Sequence, residues 1–240
     1  MGFREEYGAL KEKGFPISET LDFCVKLGNS NDMELHFELI CEEWHNRGDN
    51  MLSDHFWRHR DAGMFYLEKV LDSQDKDRAV KAAYLMSEMI ERHRYSDADR
   101  LMREIISHLV LFSDYPEAKY RRMSIIALGW VGTEDEINLL SYHLINDSDS
   151  LCRAWSASAF LQMTGRIPDN ILQSETAGVL MRCIENEQDL FARGVAIETV
   201  QIIWKKRLGL SSGAVDRRER EAIEKAGRRA LKFLGGIVTP

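Results

Sequence analysis

The chain has 240 residues, 44% hydrophobic and 30% charged, enough to bury a substantial core. No segment approaches the ~20 uninterrupted apolar residues of a membrane span, the opening "MGFREEYGALKEKG" has no apolar leader core, and Glu6 stands where a myristoylation pattern needs Ser or Thr, so a cytoplasmic location is expected. The formal net charge of −7 is uneven: from Trp204 onward ten Lys and Arg face four acids, leaving a +6 tail behind a −13 remainder, which disfavours nucleic acid and favours a cationic partner.

Helical periodicity runs through the whole chain and no alternating β-branched stretch is long enough for a strand, so an all-α fold is expected. The predicted helices, in order, are 4–13, 18–28, 32–47, 53–72, 76–94, 97–112, 117–131, 134–146, 149–164, 174–186, 189–207 and 215–234. Pro16, Pro116 and Pro168 fall between them and Pro240 ends the chain, as helix interiors exclude proline. His55 and His59, four apart in the fourth segment, have a spacing that metal sites use, but no HExxH or further carboxylate motif accompanies them; ordinary surface or partly buried histidines beside Trp57 are the simpler reading. Thr133-Glu-Asp-Glu136 has the form of a capping box, one residue after Gly132 ends the preceding helix. Such short connectors fold consecutive helices back as antiparallel hairpins. Cys24, Cys41, Cys152 and Cys183 are far apart and form no CxxC pair, which points to reduced, mostly buried thiols.

The decisive feature is repetition. Glu117-x3-Arg121-x2-Ser124-x2-Ala127-Leu128-x2-Val131 recurs as Asp149-x3-Arg153-x2-Ser156-x2-Ala159-Phe160-x2-Met163 and again as Asp189-x3-Arg193-x2-Ala196-x2-Thr199-Val200-x2-Ile203. The small positions admit a neighbouring helix closely, the large ones fill the groove beside them, and each acid is placed to pair with the Arg four residues on. A unit of this kind needs the next one to cover its apolar face.

The pattern "RxxSxxALxxVG", with "RAWSASAFLQMTG", resembles the second helix of HEAT-like repeats, including the short bacterial variety of phycobilisome-lyase-type proteins. The match is good over roughly Pro116 to Trp204, weaker from Asp75 and absent before that. The resemblance implies one domain over 1–240: a right-handed α-α superhelix of about five to six hairpins whose second helices line a concave surface. Residues 1–53 are then an atypical N-terminal cap, 54–204 the repeats and 205–240 a basic C-terminal capping helix. In that cap Glu221 and Glu224 precede Lys225 and Arg228 by four residues, the favourable order for intrahelical pairing, with Leu231 and Phe233 or Leu234 turned inward; a grip on phosphate backbones through Arg217, Arg218, Arg228 and Arg229 is the less favoured alternative.

Opposite the small residues, the repeat helices carry a second face: Met123, Ile126 and Trp130, then Trp155, Ser158 and Gln162, then Val195, Glu198 and Ile202. If the second helices line a concave side, these residues form one strip suited to a protein partner, with Trp130 and Trp155 as anchors. Intramolecular burial is the alternative, because helices apolar all round are usually interior. With no GxGxxG, P-loop, GxSxG or HExxH, a non-catalytic adaptor, inhibitor or immunity-type protein is the favoured function, needing no cofactor or metal and binding another protein, possibly basic. The runner-up is a HEAT-like DNA glycosylase of the alkylpurine type, for which Trp130, Trp155 and Glu198 qualify only by position. A lyase-like or chaperone role on a tetrapyrrole or nascent subunit, requiring an apolar cavity among Trp57, Trp130 and Trp155, is suggested by the repeat variety alone.

Overall fold

The computed structural model describes residues 2–46 and 51–238, which are all-helical: no strand forms among them. They divide into two compact units, one ending at Ala98 and the other beginning at Asp99.

In the first unit α1 (Phe3–Glu12) turns through Gly14 and Phe15, both at positive φ, into α2 (Ile17–Gly28), and Tyr7, Phe15 and Phe23 close the turn as an aromatic cluster. Helix α3 (Met33–His45) starts at Asp32, whose carboxylate accepts the Leu35 N–H, and sends Phe37, Leu39 and Ile40 into the core. The predicted helix 53–72 is broken. A short α4 (Ser53–Phe56) passes through a 3₁₀ turn at Trp57–His59 into α5 (Arg60–Leu71), with Arg60 at φ 53°. The break turns His59 inward, where its Nε2 lies 2.9 Å from His36 Nδ1, whereas His55 Nδ1 pairs with the Met51 carbonyl. The two histidines therefore serve different partners and share no ligand position. Helix α6 (Lys76–Arg92), capped by Asp75, completes the unit. Its Lys81 is buried and held by Asp77 at 2.6 Å and by the Cys41 carbonyl.

The second unit opens with α7 (Ala98–Ser113) and α8 (Ala118–Val131), followed by α9 (Ile137–Asn146), α10 (Ser150–Gln162), α11 (Asp169–Asn186), α12 (Leu190–Ile203), the short α13 (Ser212–Asp216) and α14 (Arg220–Val238). Helix α10 packs between α8 and α12, and α11 packs against α9 and α14, so α8, α10 and α12 form one row. The small residues of the repeat make this possible: Ser124, Ala127, Ser156, Ala159, Ala196 and Thr199 are all buried. The Thr133 capping box forms and leads through a 3₁₀ turn into α9. The predicted 174–186 helix begins earlier, at Asp169 directly after Pro168. The predicted 189–207 helix stops at Ile203, before Lys205 at φ 51°, and the predicted 215–234 helix is divided by Arg218 at φ 53°.

The acid and arginine of the repeat do not pair as their four-residue spacing suggests. Asp149 and Asp189 are N-caps, accepting the Cys152 and Ala192 N–H groups at 2.9 Å. The arginines reach across to the following hairpin instead. Arg121 grips Asp147 with two hydrogen bonds of 2.9 and 2.8 Å, and Arg153 grips Glu187 with two of 2.6 and 3.0 Å. Each of those carboxylates also accepts the N–H two residues on, from Asp149 and Asp189 respectively. Arg153 further donates to the Asp147 carbonyl, so one hairpin junction is tied to the next. Among the described residues Arg193 finds no such carboxylate: its Nε is buried without a partner there and its guanidinium lies against Gly227 of α14.

Candidate functional site

The row of α8, α10 and α12 turns two faces in opposite senses. Leu128, Val131, Phe160, Met163, Val200 and Ile203 are buried with the small residues beside them. Met123, Ile126, Trp130, Trp155, Ser158, Gln162, Val195 and Glu198 are all partly accessible to solvent, and Ile202 is 48% exposed. Neither indole is buried in the packing of its own unit. Three neighbouring helices thus present, at equivalent positions, a row of large apolar side chains that a helix turned toward water ordinarily lacks.

Close helix approach holds this row together. The Thr199 hydroxyl of α12 donates to the Ala157 carbonyl of α10 at 3.0 Å. On the other side, a Cβ at Gly129 would lie 3.0 Å from the Ala159 Cα and overlap the Gln162 amide oxygen, which is itself buried without a partner. Gln162 therefore leans over the α8–α10 seam, and its oxygen packs against Gly129. Gly129→Ala is expected to cost about 1–3 kcal/mol by overpacking this seam, read by denaturant unfolding; an unchanged midpoint would show that the two helices separate freely.

Arg166, which lies in the α10–α11 connection and carries no repeat signature, is the residue that the sequence pattern does not reveal. Its guanidinium donates to the Trp130 and Gly129 carbonyls, the latter at 2.6 Å, with the Gly132 carbonyl at 3.5 Å. These carbonyls lie at the C-terminal end of α8, beyond the reach of the helix's own N–H donors, where the helix dipole favours a cation. The backbone that carries Trp130 is thereby fixed from the next hairpin.

Glu198 is the one carboxylate among the nine face residues. Burial pushes Cys24 and Cys183 up to about 12 and Cys41 up to about 11, and raises Cys152 also, so the thiols stay protonated and unreactive at neutral pH. Among the described residues no three His, Cys, Asp or Glu side chains converge as a metal site would require. No helix of the described residues is long and apolar enough to cross a membrane. Trp57 lies in the first unit, stacked on His93 with ring centroids 4.6 Å apart. No family model, no curated protein and no solved structure matches the chain.

Proposed function

We propose that this chain is a non-catalytic protein-binding module of the HEAT-like type, acting in the cytoplasm, that seats a partner protein in a concave groove lined by the Trp130 and Trp155 face of α8, α10 and α12. The arrangement of α8, α10 and α12 in one row, with α9, α11 and α14 in contact behind them, is what stacked hairpins of a right-handed superhelix would give. The carrying observation is the half-exposed apolar series Met123, Ile126, Trp130, Trp155, Val195 and Ile202 on three adjoining helices. Aromatic anchors flanked by aliphatic groups supply most of the affinity in protein interfaces, and here the backbone beneath Trp130 is held by Arg166. The −13 balance of the residues before the basic tail favours a cationic partner, as for an adaptor, inhibitor or immunity-type protein.

The alkylpurine-glycosylase reading has less support, since Glu198 stands alone as a carboxylate on the face. Release of base from an alkylated duplex would revive it. The main test is recovery of a partner from native lysate, followed by Trp130→Ala with Trp155→Ala. The double variant is expected to weaken binding by at least ~2 kcal/mol, about 30-fold, with the melting temperature nearly unchanged. A partner held at undiminished affinity would remove this face from consideration.

A further inference from the structure

The basic C-terminal part was expected to neutralise itself through glutamates four residues ahead of its cations. It does not. Glu224 pairs backwards with Arg220 at 3.6 Å, and among the described residues neither Lys225 nor Arg228 has a carboxylate partner. The apolar side of α14 (Ile223, Ala226, Ala230, Leu234) is buried against α11 and α12, with Leu231 and Phe233 only half-buried. That burial turns Lys225, Arg228, Arg229 and Lys232 outward as one exposed stripe at i, i+3, i+4 and i+7. Arg229 donates to the Leu208 carbonyl at 2.9 Å, which brings the loop bearing Lys206 and Arg207 alongside. That loop is built rather than loose. The Gln201 amide accepts the Leu208 and Leu210 N–H groups and donates to the Leu210 carbonyl, while Leu208 and Leu210 are buried. Two open depressions of about 510 and 320 Å³ meet at Gly209, the first walled by Arg220, Lys225 and Arg229, the second by Lys206 and Arg207. Two carboxylates share the rim of the first: Glu219, held by Arg217 at 2.8 Å, and Glu221.

From this we infer that the edge formed by residues 205–210 and α14 binds the phosphodiester backbone of a nucleic acid. The cations make a line rather than a cluster, spanning ~10 Å along α14 and continued by the loop, which suits a linear array of phosphates. Three of the six are guanidinium forks, which match phosphate oxygens in pairs. An anionic bilayer is a poorer fit, because α14 has already spent its apolar side on α11 and α12. The negative net charge of the chain does not oppose local binding. The first 98 residues carry 13 Lys and Arg against 20 acids, whereas the second unit is neutral overall, with ten of its 19 cations but only four of its 19 acids from Trp204 onward.

The test is anisotropy titration of a short labelled duplex and a single strand with the full chain at ~50 mM salt, then at ~200 mM. Binding should fall about 100-fold over that range if some four phosphates are engaged. Arg228→Glu with Lys232→Glu, both exposed, should lower affinity at least ~10-fold and flatten the salt slope by about two, with the thermal melt unchanged. Arg207→Glu, on the loop, should give a loss of the same sign and covers the case in which the helix variant is misfolded. Trp130→Ala with Trp155→Ala should leave the titration as it is, so the two surfaces fail or stand separately. No binding at low salt, binding indifferent to both charge reversals, or tighter binding to polyglutamate or phosphatidylserine vesicles than to nucleic acid would each overturn the proposal.

Discussion

Replacing Asp147 by Ala is expected to destabilise the second unit by about 3–5 kcal/mol. The side chain is only 2% exposed, and it accepts two hydrogen bonds from Arg121, one from the Asp149 N–H and a contact from His143 Nδ1 at 3.1 Å. Burial pushes its carboxyl upward, but those bonds together bring it down to about 2. Removal would leave the Arg121 guanidinium, 11% exposed, with only the Tyr115 and Pro116 carbonyls and the Ser148 hydroxyl. The cost is therefore mainly that of a buried unpaired charge, not of one lost contact. Exchanging both partners, Arg121→Met with Asp147→Leu, should recover most of it. Urea unfolding of the three proteins measures this, and a loss below about 1 kcal/mol for Asp147→Ala would mean that the junction is not held by the pair.

Acid should unfold the first unit through its buried histidines. His36 Nε2 faces the Leu52 carbonyl at 3.0 Å, His36 Nδ1 faces His59 Nε2, and His59 Nδ1 faces the Ser30 carbonyl at 3.1 Å. Three contacts need three protons, and two neutral imidazoles carry two. Burial lowers His59 from its ordinary value, against the opposing pull of the Ser30 carbonyl and Asp32, so it resists the extra proton. His36 also stays neutral: burial, with His59 beside it, lowers it to about 3 from an ordinary 6.5. Because the folded value is depressed, the unfolded chain binds the extra proton first. Stability is complete above pH 6.5 and is lost as pH falls toward 3, by about 2 kcal/mol at pH 5 for His36 alone. Unfolding free energies at pH 7.5 and 5 should differ by that order, and His36→Leu should shrink the difference even though it lowers stability at pH 7.5. Equal pH dependence in the variant and the native chain would exclude His36 as the cause.

Helix existence was legible throughout because the 3.6-residue apolar period is a local property, and caps such as Asp75, Thr133 and Asp149 stand where the pattern put helix starts. The places where helices break were not. His59 leaves the helical path for a partner 23 residues away, and Arg218 divides the last segment at a positive φ that no local signal required. The face bearing Trp130 and Trp155 could be drawn on a helical wheel, but its exposure could not, since apolar residues opposite small ones are equally compatible with burial on both sides. Charge partners were the least legible. Acid and arginine four apart satisfied a helix rule, yet Asp149 serves the backbone and Arg153 crosses to Glu187.

Read alone, the amino-acid sequence determined an all-helical chain with three related repeat helices and a basic tail, because periodicity, capping and composition act over one or two turns. The tertiary structure alone decided which carboxylate Arg121 and Arg153 grip, that the large apolar residues of α8, α10 and α12 meet water, and that Lys225, Arg228, Arg229 and Lys232 of α14 face outward, because each of these depends on which helix packs beside which, and hydrogen-bond geometry selects partners by distance in space rather than by separation along the chain.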